Sequence, residues 1–300
     1  MNQKAVEIQS FKVSTAVNCF MGIAGLVVYF MTGLNALLLD GVFSLIAFVS
    51  SLAGYFISQY SHKKTKSFPY GLYFLEPLYA VFKSIATLTL LLVTLVDTSK
   101  TALHYWLTGN GELMETGPVI PYTILMVIIC FSLSYYNRRQ NAKIGNLSTM
   151  IAAESKGNFV DGVISAGVGI AIFMLYFVDV AGPLSFLHYT GDFFITVVLV
   201  LISYREPINA LVYSFKELAQ SQNQDESLQR QVQEIVADHL ADPENDLTVM
   251  IFKQGMHLII RLHLPNQHNQ TLLDQLVASK DQVHASLQEN FERVRLEILL

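Results

Sequence analysis

The sequence predicts a membrane protein with an all-α domain of six transmembrane helices, followed by a cytoplasmic α+β domain. Of the 300 residues, 52% are hydrophobic and 14% are charged, whereas a soluble domain has about 25% charged residues. Six apolar stretches are long enough to cross about 30 Å of hydrocarbon as helices. Charged residues become frequent after residue 206. We therefore expect a transmembrane domain at 1–206 and a cytoplasmic domain at 207–300.

The connections between the apolar stretches indicate how the helices are oriented. Basic residues follow the second stretch at Lys63 and Lys64 and the fourth stretch at Arg138 and Arg139, while the opposite connections have almost none. Basic connections face the cytoplasm, so we expect both termini there. The predicted spans are residues 12–32, 35–59, 71–96, 119–136, 149–179 and 187–206.

The outer ends of the predicted helices carry a tight turn and several aromatic residues. The turn at 32–35 is short enough to make the first two helices an antiparallel hairpin. Tyr105, Trp106 and Tyr122 fall near the predicted outer boundary, where aromatic side chains commonly anchor membrane helices. We expect them to be such interfacial anchors.

The last ninety residues show shorter patterns that are typical of a small α+β unit. An apolar face recurs at helical spacing in two segments, and alternating β-branched residues mark three others. The order αββαβ predicts a small sheet with helices on one side. The segments are helix 226–240, strands 247–252 and 256–264, helix 270–288 and strand 294–298.

Two aspartates inside apolar stretches are the strongest candidates for function. Asp40 lies in the second stretch and Asp161 in the fifth. An ionised carboxylate in hydrocarbon costs at least a few kcal/mol, so it is retained where it meets a partner or a water-filled path. Ser44 shares a helix face with Asp40, and Glu154 and Asn158 share one with Asp161. Both faces could line one polar site, or they could join neighbouring helices by hydrogen bonds.

The residue types on these faces favour a hard cation. Carboxylate, amide and hydroxyl oxygens suit Mn²⁺ or Mg²⁺ better than Zn²⁺, which prefers imidazole or thiolate. No histidine lies at mid-membrane depth. Glycines on the fifth stretch would let a neighbouring helix approach closely. They are Gly157, Gly162, Gly167 and Gly169.

Lys83 lies deep in the third apolar stretch, seven residues after Glu76 on the same helix face. Snorkelling to the membrane surface is difficult from that depth, so we expect an ion pair with Asp161 or Asp40. One hypothesis is that the three groups form a proton-sensitive site in which Lys83 supplies the charge of a divalent ion. The alternative is a static salt bridge.

Several classes of function are excluded by composition. The net charge of −5 does not favour binding to nucleic acid. Cys19 and Cys130 both lie in apolar stretches, so neither a disulfide framework nor a cysteine-rich metal site is expected. Nucleophile and phosphate-loop motifs are absent, and we predict no enzymatic activity and no tightly bound cofactor. The N-terminus lacks the pattern of a cleaved signal peptide.

Several of these segments together resemble the cation diffusion facilitator family of proton-coupled divalent-metal exporters. They are Leu38–Leu45, Phe68–Leu78, Glu154–Asp161, Glu206–Ile208 and Lys216–Leu218, with the αββαβ tail. The resemblance implies six spans, a ferredoxin-like tail that forms a homodimer, and alternating access around a mid-membrane tetrahedral site. It implies a multi-pass protein of a bacterial inner membrane.

The family's usual metal ligands are mostly missing. The corresponding positions carry Phe43 and Ala47 in the second helix, and Gly157 and Asp161 in the fifth. Of the ligands usual in the family's tail, only His263 is matched. If a cation is moved, we expect Asp161 and Asp40 to bind it, and the supporting oxygens would come from Asn158, Glu154 and Ser44.

The resemblance implies the export of a divalent cation from the cytoplasm in exchange for protons, and Mn, Fe, Co, Mg and Zn all stay open as the metal. The alternative function is a non-transporting dimeric membrane scaffold or sensor of the same fold. In that alternative, Lys83 occupies the site.

Overall fold

The computed structural model describes residues 3–32, 35–111, 119–175, 177, 182, 185–239, 247–263 and 270–299. Long helices come first and a small sheet comes last, as the sequence predicts. The helices are α1 Gln3–Thr32, α2 Asn35–Tyr60, α3 Leu75–Thr108, α4 Val119–Lys143, α5 Thr149–Leu175, α6 Leu187–Ser203, α7 Arg205–Leu218, α8 Glu226–Ala237 and α9 Gln270–Asn290. The strands are β1 Thr248–Gln254, β2 His257–His263 and β3 Val294–Leu299. The core of the predicted turn at 32–35, together with Leu240, Leu264 and His268, lies outside the described residues.

Five helical segments in the described part of the chain are long and apolar enough to cross a membrane. They are Gln3–Met31, Asp40–Tyr60, Leu75–Thr108, Ile120–Lys143 and Leu187–Leu218. α5 is 27 residues long and carries Glu154, Lys156 and Asp161. It is not among the five, so its place as a sixth span stays a prediction.

Three predicted boundaries of α3 and α4 differ from the observed helix ends. At the two C-terminal ends the reason is that hydropathy marks the hydrocarbon region and not the end of the hydrogen-bonded helix. α3 continues beyond residue 96 to Thr108, where Gly109 ends it at φ 69° and donates its N–H to the Tyr105 carbonyl. It begins at Leu75 and not at residue 71, because Gly71 has φ 106° and lies in a turn. α4 likewise continues past its basic residues to Lys143.

Glycines bring neighbouring helices into close contact. A Cβ atom on Gly25 of α1 would lie 2.6 Å from the Cα atom of Gly41 in α2, so the two backbones touch. On α5, a Cβ on Gly162 would lie 3.1 Å from the Cβ of Cys130 in α4. The role predicted for the α5 glycines is thus confirmed at this position.

The three strands form one sheet in the order β1-β2-β3. β1 and β2 are antiparallel with Ile251 opposite Ile260, and β2 and β3 are parallel with Ile260 opposite Leu296. α8 begins at Asp225, whose side chain accepts hydrogen bonds from two backbone N–H groups in the first turn. The order of elements is the predicted αββαβ; the assignment to the ferredoxin-like class stays a prediction. Apolar side chains of α8, α9 and the sheet form the core of this unit: Leu228, Val232, Val236, Leu258, Ile260, Leu262, Leu276, Val283 and Leu287.

Replacing Ile260 by alanine should destabilise the sheet by about 2–5 kcal/mol, because Ile260 is fully buried and the smaller residue would leave a cavity. The free energy can be measured by hydrogen exchange of the β2 amides in the full-length protein. Val277→Ala is the matched control: this side chain on α9 is 60% exposed, and its loss should change stability by less than about 0.5 kcal/mol. Equal effects of the two substitutions would contradict this core assignment.

Candidate functional site

Lys83 forms a buried ion pair, but with a different partner from those predicted. Its Nζ atom lies 3.3 Å from Oε2 of Glu154, and the two side chains are 6% and 1% exposed. The prediction that the partner would be Asp161 or Asp40 was therefore wrong. The depth of Lys83 did require a carboxylate, but depth alone did not show which carboxylate on α5 faces α3.

Glu154 receives hydrogen bonds from three further helices. Ser51 of α2 donates to Oε1 at 2.5 Å and Asn18 of α1 donates to the same atom at 3.2 Å. Tyr79 of α3 donates its hydroxyl to Oε2 at 2.8 Å. With Lys83, four polar groups surround this carboxylate, so both oxygens of Glu154 have hydrogen-bond or ion-pair partners. Sequence reasoning missed Asn18, Ser51 and Tyr79, which carry no charge and lie in apolar stretches.

The Lys83 side chain lies against Gly157. A Cβ atom on Gly157 would lie 2.9 Å from Cε of Lys83 and 3.7 Å from its Nζ. Glu154, Gly157 and Asp161 are spaced i, i+3 and i+7, so they share one face of α5. Lys83 therefore crosses this face between the two carboxylates. Asp161 interacts electrostatically with Lys83, and also with Asp40 and Glu154.

Asn158 is fully buried, yet neither atom of its side-chain amide has a hydrogen-bond partner among the described residues. An unsatisfied buried amide costs about 1–3 kcal/mol, and in a native structure such a group calls for an explanation such as an ion or a water molecule. Asn158 precedes Asp161 by three residues, so the two side chains lie on neighbouring parts of α5. No hydrogen bond to the Asp161 carboxylate is found in the described part of the chain either.

Asp40 has a different environment. The Tyr122 hydroxyl of α4 donates a hydrogen bond of 2.5 Å to Oδ2 of Asp40. Tyr122 is only 6% exposed, so the expectation that it anchors α4 at the membrane surface was wrong. Cys130 of α4 lies near both Asp40 and Asp161. The two predicted carboxylates thus lie within electrostatic reach of each other, although they make no direct contact.

The remaining predicted site residues are not brought together. Ser44 and Phe43 are half-buried and Ala47 is buried on α2. His263 ends β2, opposite Thr248 in β1. Within the described ranges, no three His, Cys, Asp or Glu side chains are close enough to hold a metal ion. The described conformation therefore contains acidic groups and amide oxygens but no assembled metal centre.

A second buried cluster joins the membrane helices to the sheet. Lys4 of α1 contacts Glu7 and lies 2.7 Å from Oε1 of Glu76. The other Glu76 oxygen accepts the backbone N–H of Met256 at 2.9 Å, in the turn between β1 and β2. Glu76 therefore contacts α1 and the sheet, while Lys83 contacts Glu154. Serine hydroxyls complete the cluster: Ser58 and Ser148 donate to Glu7, and Ser61 donates to Glu76.

A further ion pair joins α7 to β1. Lys253 Nζ lies 2.9 Å from Oε1 of Glu217, with side-chain exposures of 4% and 3%. Thr149, the first residue of α5, donates a hydrogen bond of 2.7 Å to the same carboxylate. Burial alone would lower the pKa of Lys253, but the Glu217 carboxylate outweighs it and raises that pKa above its usual value. Lys253 is therefore a permanent cation at this junction.

His257, the first residue of β2, stacks on Tyr73 just before α3. The ring centroids are 4.5 Å apart and the rings are nearly parallel, at 8°. Burial and the nearby cations Arg295 and Arg293 together lower the pKa of His257 to about 4. His257 is therefore neutral at neutral pH and packs against Tyr73.

Long apolar helices with paired charges buried between them define a multi-pass membrane protein with a polar interior. A family model described as the cation efflux transmembrane domain matches residues 11–219, more than half of the chain. The protein therefore belongs to the cation efflux family, the cation diffusion facilitators that the sequence resembles. A search among curated proteins found no match. Membership supports metal-cation transport as the general function, with the cation as transported substrate and not as bound cofactor. The family is one of transporters, not of enzymes.

Substituting Gly255 by alanine should destabilise the protein by about 1–3 kcal/mol more than the same change at Gly109. Both glycines have positive φ, 60° and 69°, so both substitutions strain the backbone. A Cβ on Gly255 would also lie 2.5 Å from the Cβ of Glu76, whereas a Cβ on Gly109 would meet nothing within 4 Å. Thermal unfolding of the full-length protein in detergent measures both; similar melting temperatures would refute the tight contact at Glu76.

The stability of the full-length protein should fall as the pH drops from 6.5 towards 4, in part because of His257. Its pKa is lower in the folded state, about 4, than in an unfolded chain, about 6.5. Protons therefore bind preferentially to the unfolded chain in this window, and up to about 3 kcal/mol is lost. His257→Phe keeps a ring against Tyr73 and should flatten the pH dependence of the melting temperature. The exposed His104→Phe should not; an unchanged profile in His257→Phe would contradict the prediction.

Proposed function

We propose that this protein exports a divalent cation from the cytoplasm in exchange for protons, by alternating access around Asp161. Asp40, Asn158, Glu154 and Ser44 are the proposed supporting oxygens. The observation that carries the proposal is the pair formed by Asn158 and Asp161: a fully buried amide without partners stands on the same helix as a carboxylate that accepts no hydrogen bond within the described residues. Both groups have ligand oxygens available.

The available donors favour a hard cation. Carboxylate and amide oxygens suit Mn²⁺ or Mg²⁺, and no imidazole accompanies them on the described part of α5. The thiol of Cys130 lies near Asp161 but packs against Met21, with 3.6 Å between the two sulfur atoms. We therefore favour Mn²⁺ or Mg²⁺ over Zn²⁺ as the cargo.

The cation site has to form during the transport cycle, because the carboxylates are separate in the described conformation. Asp40 would leave Tyr122 and approach Asp161 as a cation enters between α2 and α5. Once the cation departs, Asp161 would take up a proton, because an ionised carboxylate in hydrocarbon is unfavourable. This exchange of a cation for protons at one carboxylate is the proposed basis of coupling.

The same proposal includes the arrangement of the chain in the membrane. α5 would be the sixth span, since it packs between α3, α4 and α6. The basic residues after α2 and near the end of α4 favour a cytoplasmic location for both termini, and the cell membrane of a bacterium is the expected location. Residues 207–300 would be the ferredoxin-like domain through which two copies form a homodimer.

The second candidate is a non-transporting dimeric scaffold or sensor. The ion pair between Lys83 and Glu154 favours this candidate. The lysine stem also fills the space next to Gly157 that a larger side chain at this position would occupy. In that case an internal cation permanently replaces the transported one.

Reconstituted flux should separate the two candidates. Purified protein in liposomes with an imposed pH gradient should move Mn²⁺ or Mg²⁺, and Asp161→Asn should reduce the flux at least about tenfold, because losing even a supporting group of a metal site costs 10–100-fold. Asp97→Asn is the matched control, an exposed aspartate on α3 whose loss should leave the flux within about twofold. A folded wild-type protein without flux of any divalent cation would favour the scaffold.

A further inference from the structure

We propose that Lys83 is a tethered cation that exchanges between Glu154 and Asp161 and competes with the transported cation for Asp161. The inference rests on the proposed function, because it assigns a moving part to the same site. In the described conformation the ammonium group is paired with Glu154. In the alternative position it would be paired with the ionised carboxylate of Asp161, after the cation has left and before a proton binds there.

The surface of α5 between Glu154 and Asp161 has a groove at Gly157 that holds the lysine stem. Gly157 lies three residues after Glu154 and four before Asp161, which is about one helical turn, 5–6 Å, from each. With no side chain at 157, the lysine stem lies directly on the helix, with Cε 2.9 Å from where a Cβ would be. A flexible four-carbon stem in such a groove can direct its ammonium group towards either carboxylate.

The carboxylates of Glu154 and Asp161 differ in the number of hydrogen-bond donors around them. Glu154 retains three uncharged donors, from Asn18, Ser51 and Tyr79, when the lysine leaves. Asp161 has no hydrogen-bond donor among the described residues, so it gains more from the arrival of a cation. Glu154 is thus a fixed resting place for Lys83, and Asp161 is the position that Lys83 and an external cation can both stabilise.

The charges of the side chains in this region leave room for one divalent cation. Three carboxylates interact in this region, those of Asp40, Glu154 and Asp161, and Lys83 is the cation that acts on Asp161. If all are ionised, two negative charges remain uncompensated, which is the charge that one divalent cation cancels. Since like charges repel strongly in a medium of low dielectric constant, a divalent cation at Asp161 excludes Lys83 from that carboxylate. Lys83 can reach Asp161 only when the cation is absent.

Binding of Mn²⁺ to the purified full-length protein in detergent tests the inference. Free Mn²⁺ is measured by electron paramagnetic resonance, so no transport is needed. Lys83→Met keeps the stem in the groove but removes the charge, and it should bind Mn²⁺ about tenfold or more tightly than wild type, because a competing positive charge is gone. Lys100→Met, an exposed lysine on the same helix α3, should bind as wild type does.

The double variant Lys83→Met with Glu154→Gln removes both members of the ion pair, so it guards against misfolding caused by an unpaired buried carboxylate. It should bind Mn²⁺ more tightly than Glu154→Gln alone, in which Lys83 keeps its charge and has lost its partner on Glu154. A purely structural role for Lys83 would weaken binding in Lys83→Met, and unchanged or weaker binding in both comparisons would overturn the inference. Asp161→Asn tests the cation site separately from the exchange of Lys83. If it abolishes binding, the cation site stands whatever Lys83 does; if Mn²⁺ binds as before, the proposed function itself fails.

Discussion

The Glu154 carboxylate is the interaction on which the arrangement of the membrane helices depends. It belongs to α5, yet its donors come from α1, α2 and α3. Between lipid tails there is little hydrophobic drive for one helix to choose another, so packing and polar contacts decide which faces meet. A single anion with four converging donors fixes the rotation of four helices at once. The Asn158 amide and the Asp161 carboxylate are placed by that rotation, one and two turns further along α5.

The sequence predicted which charged and polar residues lie between the membrane helices better than it predicted which of them contact each other. Helical spacing showed that Glu154, Asn158 and Asp161 share a face, and depth in an apolar stretch showed that Lys83 needs a carboxylate. Which carboxylate it meets depends on how α3 is rotated against α5, and a pattern within one helix does not contain that rotation. The pairing of Lys4 with Glu76 was missed for a similar reason, because an N-terminal lysine before the first apolar residues resembles an ordinary solvated charge.

The C-terminal unit was more predictable, because its signals are local. Alternation in the strands, helical periodicity in α8 and α9, and the turn at Gly255 depend only on near neighbours in sequence. The helix ends in the membrane part were harder to predict from the sequence. Hydropathy falls where lipid gives way to water, while hydrogen bonding continues, as at the end of α3. The uncharged residues around Glu154 could not be singled out from the sequence, since residues such as Asn18 and Ser51 are common in apolar helices.

The junction between the two parts of the chain also bears on where the chain can be divided. The match to the family covers residues 11–219, but three groups that satisfy its buried acids lie outside it: Lys4 and the Met256 amide at Glu76, and Lys253 at Glu217. A fragment cut at those limits would lack the counter-charges of two carboxylates that are buried in the full chain. The segment that matches the family model is therefore shorter than the segment that holds all the partners of its buried acids.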